Sequence, residues 1–357
     1  MYWYINPPKT DAIGAPPMSA LQEITSSLTS LGFFLTLLYS PILIYLTVFR
    51  IKKIGGAYKT MIVCFAALGI LFASWQRVTR PCIHNFNASL IYFSLNASPD
   101  YSSGFMEFAL AAYGFLYSAL YSLIAAQFVY RLMALQKCRV LKKFGRWLVV
   151  ACVCHVTLFG TLFGTFFYFL AKPDQFSDEY LRKEVQRVYN ERIEDLPRFI
   201  VVPYDATGQL RRSNVATLAG CIGTVLFQYL IIVLSGLRMR AHIQHKLRNS
   251  SFYHRDLEQQ FFRALVVQIA LPTALLTVPS FFVLLCPLLD LSISCQSGVI
   301  YTLFSFYAPL ESLTFMWIVS EYRRRIREII FSAAETLKKD VELEMKHVPT
   351  HLAQVIL

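Results

Sequence analysis

Charge is scarce in this chain. Of its 357 residues only 16% are charged, while 55% are hydrophobic and 15% aromatic. Soluble domains carry roughly 25% charged residues, so a water-soluble globule is excluded. Catalytic signatures are also missing: there is no H-E-x-x-H, no G-x-S-x-G and no P-loop. His242 and His245 stand three apart, but two histidines do not make a zinc site. No cofactor and no enzymatic activity are expected. The first 23 residues lack the basic-then-apolar start of a cleavable signal and contain Pro7, Pro8, Pro16 and Pro17, so the first apolar run is expected to act as its own insertion signal. A net charge of +12 could point to nucleic acid. Yet no compact basic domain lies outside the apolar runs, and nucleic acid is not expected as a partner.

What the chain does have is seven long uncharged or nearly uncharged runs. A spanning helix needs roughly 20 mostly apolar residues, and lipid admits only helices or closed barrels. The runs give spans at about 24–49, 60–80, 108–130, 147–171, 213–237, 264–289 and 291–320. None alternates as a barrel strand would. The expected class is therefore an all-α membrane protein, a seven-transmembrane helix bundle occupying 24–320. A tail of residues 1–23 precedes it, and 321–357 follow.

The basic residues are distributed unevenly about those spans. Loops 50–59, 131–146 and 238–263 and the tail from 321 hold 23 of the 34 lysines and arginines; the alternate set holds 11. Cytoplasmic loops carry the excess of Lys and Arg, which puts the N-terminus outside and the C-terminus inside. Two N-A-S sequons, at Asn87 and Asn96, fall on one loop assigned to the outside; they are expected to carry glycans. A third, at Asn249, falls inside and is expected to stay unmodified. Among the cysteines, Cys286 and Cys295 flank the short loop before span seven and form the simplest disulfide. Cys82 with either is the rival pairing.

Some residues inside the spans invite a role. Glu311 is the one carboxylate within a span. Such a group is costly in lipid, about 2.5–3.5 kcal/mol on insertion scales, and is a functional candidate by default. With Gln268 it forms a candidate switch. Tyr113, Tyr117 and Tyr121 stand four apart and so share one face of span three. With Phe282, Tyr301 and Phe304 they would line a mostly apolar outer cavity suited to a small molecule; the alternative is plain bundle packing. The loop 172–212 carries eight basic and eight acidic residues. Within it, SDEYLRKEVQRVYNERIEDL reads as a helix with Ser177 as N-cap and Pro197 as stop. After span seven, SEYRRRIREIIF places Tyr322, Ile326, Ile329 and Ile330 on one face opposite arginines, as in a helix lying on lipid headgroups.

Several short motifs occur in an order that resembles the nematode serpentine chemoreceptors of the Str family. LIYLTVF (43–49) is similar to that family's first span, and GAYK (56–59) to the start of its second. RPCIH (80–84) resembles the Pro-x-x-His after span two. FVYRLMAL (128–135) resembles the Tyr-Arg close of span three, and EYLRKEVQRVYN (179–190) the long outer loop. LVVQIALP (265–272) and EYRRRI (321–326) match the span-six and closing motifs. The resemblance implies a G-protein-coupled, olfactory-type receptor in the plasma membrane, expected in sensory cilia. It implies a small-molecule ligand, heterotrimeric G-protein and lipid as partners, and G-protein coupling through Tyr130, Arg131, Tyr322 and Arg323. Two departures stand out. Ser40-Pro41 replaces the family's span-one asparagine, and Glu311-Ser312 replaces Asp-Pro in span seven. A ligand-gated cation channel of the insect odorant-receptor kind, or a transporter, is the alternative; the charge distribution opposes the first, and no inverted repeat supports the second.

Overall fold

The computed structural model describes residues 18–51, 56–96, 101–136, 145–248, 266–267, 269–289, 294–296 and 298–347. Among these, six helices are long and apolar enough to cross a membrane. A seventh, Val299–Ile318, qualifies together with the helix after it, from which it is bent by 90°. Span one is Met18–Tyr45, span two Gly56–Thr79, span three Ser103–Leu135, span four Gly145–Thr165 and span five Arg212–Arg248. Span six runs through Ile269–Leu288, and span seven is Gly298–Ile318. The terminal helix is Ser320–His347. The chain is a seven-helix membrane bundle.

Span three is its axis. Eighteen of its residues are buried and its sides are nearly uniformly apolar, as expected of a helix surrounded by others. Ser102 caps it by accepting from the Phe105 N–H. The helix continues beyond both ends of the run 108–130, past Glu107 and Arg131. Charges mark where hydrocarbon ends, not where a helix must. Three π turns occur. Leu46–Arg50 and Phe166–Leu170 finish spans one and four, and Thr273–Thr277 lies within span six after Pro272.

One end of the bundle carries a part the sequence did not announce: a four-stranded antiparallel sheet. Strands β1 (Pro81–Phe86), β2 (Ser89–Ser94), β3 (Arg198–Val201) and β4 (Ser294–Gln296) are ordered β3-β2-β1-β4. The class is thus a helical bundle with a β cap. Leu90, Tyr92, Phe199 and Val201 enter the bundle core. The alternate residues Ile91, Phe93 and Ile200 pack instead with Leu181 and Val185 of a cap helix, Gln175–Tyr189. The sheet is a filling between bundle and helix, apolar on both faces.

The cap helix starts one residue earlier than Gln175's own turn would suggest, and differently from expectation. Asp174, not Ser177, is its N-cap; Ser177 is the third helical residue and returns the bond in a capping box. The helix ends at Tyr189 with Asn190 in the left-handed region, well before Pro197. Arg198 of β3 clamps Asp178 with two bonds of 2.9 and 2.7 Å, a bidentate geometry that fixes helix to sheet. Span seven begins at Gly298 because the uncharged stretch before it is partly strand β4.

Candidate functional site

The tyrosine stripe of span three does gather a site. Tyr113, Tyr117 and Tyr121 are all buried. Tyr113 stacks on Phe72 of span two at 4.7 Å and lies 5.7 Å from Tyr301. Tyr117 stacks on Phe304 at 5.3 Å. Their hydroxyls reach span six. Tyr117 Oη is 2.6 Å from Ser280 Oγ, and Tyr121 Oη is 2.5 Å from Thr277 Oγ1. Thr277 closes the π turn, so these bonds tie span three to the irregular part of span six. Ser280 and Thr277 escaped sequence reasoning. Their only local signal is the Pro272–Pro279 bracket, which points to unusual backbone but not to a partner.

Phe282 is a correction. It is 49% exposed and points away from this cluster. Thr277, Ser280 and Leu284 share a helix face at three- and four-residue spacing; Phe282 falls on the opposite one.

The cap roofs the cluster. Tyr92 of β2 donates its hydroxyl to the Leu110 carbonyl at 2.9 Å and lies parallel to Tyr301 at 6.5 Å. Gln76 donates from Nε2 to the Tyr301 carbonyl at 2.8 Å. Two polar atoms in this apolar surround stay unanswered among the described residues: Gln76 Oε1 and Tyr113 Oη. An unmade bond in a buried site costs about 1–3 kcal/mol, which makes such atoms informative.

The opposite end holds the other candidates. Tyr130 and Arg131 occupy the last turns of span three. Glu311 of span seven has its Oε2 buried without a hydrogen-bond partner among the described residues, and Arg131 is the charge whose field acts on it. Tyr322 corrects a second expectation. It is fully buried, sits in the bend between span seven and the terminal helix, and is bonded to Thr47 Oγ1 at 2.8 Å. Its ring meets Phe315 edge-on at 5.4 Å. It is therefore a joint between spans one and seven rather than a surface contact, whereas Arg323 beside it is exposed. Ile330 and Phe331 are exposed beyond it, as a lipid-facing helix face would be. Gln268 and Asn249 lie outside the described residues.

The two departures from the family pattern meet one another. Ser40 Oγ and Ser312 Oγ are 3.2 Å apart, both buried. A polar tie between spans one and seven is kept with two hydroxyls.

In the cap, His84, Glu184, Arg187, Tyr189 and Ser294 form a polar knot. Arg187 holds Glu184 with bonds of 2.6 and 3.0 Å, Ser294 donates to it at 2.7 Å, and His84 Nε2 is 3.4 Å away. Burial would push the Glu184 carboxyl up, but bonds from His84, Arg187 and Ser294 and the Arg187 charge overcome it and hold it at about 2. Cys82 is a buried thiol 3.7 Å from Tyr189 Oη. Burial pushes it up to about 12, so it stays protonated and inert. Cys286 and Cys295 lie in a short turn and in β4 respectively. Asn87 occupies the β1–β2 turn with φ of 47°, and Asn96 donates its amide to the Val78 carbonyl at 2.8 Å.

A seven-helix bundle with an aromatic cluster under a cap and an arginine–carboxylate pairing at its far end defines a membrane receptor. Residues 25–327 match the family of serpentine type 7TM GPCR chemoreceptors, Str. The chain is 37% identical over 319 residues to "G-protein coupled receptor str-33" of Caenorhabditis elegans, covering 88% of this chain and 92% of that protein. It is 22% identical to "Serpentine receptor class r-10" of Caenorhabditis briggsae, over 90% of this chain and 95% of the relative. The r-10 receptor of Caenorhabditis elegans gives the same identity over 89% and 95%. The chain belongs to the Str family: it is a multi-span membrane protein of the chemoreceptor class, whose members are receptors and not enzymes.

Proposed function

We propose that this protein is an olfactory-type receptor that binds a small neutral molecule within the Tyr113–Tyr117–Tyr121–Tyr301–Phe304 cluster and signals to a heterotrimeric G-protein. The observation that carries the ligand reading is the pair of unanswered polar atoms, Gln76 Oε1 and Tyr113 Oη, inside an aromatic cluster. A ligand with one hydroxyl or carbonyl would complete them. It would act only through different affinities for two packings of the bundle.

At the other end, Arg131 suits a coupling role because guanidinium stays charged and offers five donors. Glu311, with Gln268, is the switch: its buried oxygen gains a partner in one packing and lacks one in the other. Arg323 and the basic loops complete the G-protein face, and Tyr130 supports it. The N-terminal tail and the cap face outward, the terminal helix lies on the inner leaflet, and the protein resides in the plasma membrane of sensory cilia. The Cys286–Cys295 disulfide would staple the segment before span seven.

Expression with a calcium or cAMP reporter against a panel of volatile and soluble metabolites tests the reading. An agonist response that Tyr113→Phe and Tyr117→Phe shift supports it; a current carried without G-protein would replace it with the channel reading. Orientation is read separately. Glycosidase should shift the wild-type band and leave the Asn87→Gln, Asn96→Gln double variant unchanged. Modification at Asn249 would invert the topology.

A further inference from the structure

The roomiest apolar space in the bundle is not under the cap. A cleft of about 500 Å³ lies between spans two, three and four, toward the Arg131 end. Cys64 of span two, Ala126 and Tyr130 of span three and Cys152 of span four form its walls, with Ile231 of span five behind. Its origin is local. At the sheet end, Gly160 and Gly164 bring span four against span three. A Cβ at Gly160 would stand 2.8 Å from the Phe115 ring, and one at Gly164 3.0 Å from the Ala111 carbonyl. Small residues at four-residue spacing allow such close approach in lipid. Toward Trp147 no glycine brings the pair together, and the cleft lies between them.

Its mouth is continuous with the bilayer-facing surface. Val149 and Val153 line the cleft and are exposed on span four, at depths that hydrocarbon occupies. The cap closes the bundle's sheet end, so the open way into this space is sideways from the bilayer. The cleft also has one polar spot. His155 lines it, and His155 Nε2 is 3.0 Å from Gln228 Oε1 of span five. Gln228 is fully buried and its Nε2 has no partner among the described residues. Whichever way that amide is turned, one of its groups remains unanswered beside the imidazole.

We propose that this cleft is a second ligand site, filled from within the membrane by a neutral lipophile. The occupant is a hydrocarbon frame bearing one hydroxyl or carbonyl, which bonds the His155–Gln228 pair. The size falls within the roughly 300–1,000 Å³ of small-molecule sites. A carboxylate is disfavoured because no cation lines the cleft to offset its burial in lipid. An occupant stands between spans three and four next to Tyr130, one residue from Arg131, so it bears on the end of span three that faces the partner. The site is separate from the aromatic cluster and does not rest on the reading of that cluster.

The test reads binding directly. The purified receptor in lipid nanodiscs is labelled with a long-chain alcohol carrying a diazirine, and the cross-links are mapped by mass spectrometry. Saturable labelling is expected on residues 60–68 and 148–157, displaced by the unlabelled alcohol. Ala126→Phe fills the cleft and should abolish that labelling while leaving the lipid-facing residues of span one labelled as before. Cys152→Leu does the same more gently should Ala126→Phe fail to fold. His155→Phe keeps the volume and should weaken the alcohol about five-fold, the worth of one hydrogen bond, while leaving the matching alkane probe unchanged. Labelling spread evenly over all lipid-facing helices, without saturation, would show ordinary lipid solvation and overturn the site. So would cleft labelling indifferent to both filling variants.

Discussion

The two ends of this bundle are held together in different ways. At the sheet end, strands, cap helix and helix termini interlock through many bonds at once. Both faces of the sheet are buried, Arg198 grips Asp178 twice, and Glu184 has three partners. At the Arg131 end, spans one and seven are joined by single hydroxyl bonds, Ser40–Ser312 and Thr47–Tyr322, and Glu311 keeps one oxygen unanswered. A net bond of this kind contributes only about 0.5–1.5 kcal/mol. Cooperative packing resists change, whereas a few weak ties can be exchanged for others. The difference locates adjustability at the end where coupling is proposed.

Breaking the stiff end should have the largest effect. Phe199→Ala removes a fully buried ring that links the sheet to the bundle core. It should cost about 3–5 kcal/mol, seen as a lower melting temperature of the purified receptor and less protein at the surface. An unchanged melt would mean that the cap adds little to the bundle.

The adjustable end should fail differently. Arg131→Lys keeps the charge but loses the planar fork of donors. Surface level should stay near wild type while agonist-evoked output falls, and falls further in Arg131→Ala. Normal dose–response curves in both would leave the arginine as a membrane anchor. Raised basal output would instead assign it to an inactive-state lock.

A smaller effect is expected between the two ends. Tyr117→Phe deletes the 2.6 Å bond to Ser280 without changing the ring packing. Ser280 retains its bond to the Leu276 carbonyl, so stability should change by no more than about 1 kcal/mol. The agonist dose–response should move by less than about ten-fold.

The smallest effect at neutral pH concerns Glu184. Its carboxyl is depressed from 4.5 to about 2 in the fold, so its contribution is complete above the unfolded value and is lost as pH falls from about 4.5 toward 2. The melting temperature should be level from pH 7 to 5 and then drop. In Glu184→Gln the acid drop should be shallower.

The same contrast governs what the sequence could disclose. Spans were legible because lipid imposes length and apolarity residue by residue. Tyr113, Tyr117 and Tyr121 were legible because helical spacing alone puts them on one face. Their partners Ser280 and Thr277 were not, being some 160 positions away with no local mark. The strands were illegible for a physical reason. Ser-Leu-Ile-Tyr-Phe-Ser of β2 is buried on both faces, and a strand covered on both sides loses the alternation by which strands are recognised. Tyr322 was misread because its helical face continues that of Ile326, while the 90° bend before it turns that residue into the core.

The π turn at Thr273–Thr277 has a consequence for insertions and deletions. A π turn houses one residue more than the α-helical count, and each residue is worth about 100° of helical rotation. Removing one residue from the turn without changing any side chain would swing the rest of span six by that angle. Ser280 would leave Tyr117, and Phe282 would move toward the ground it vacated. The meeting of spans three and six is thus specified by a number, the length of the chain between Pro272 and Val278, as much as by the residues that touch.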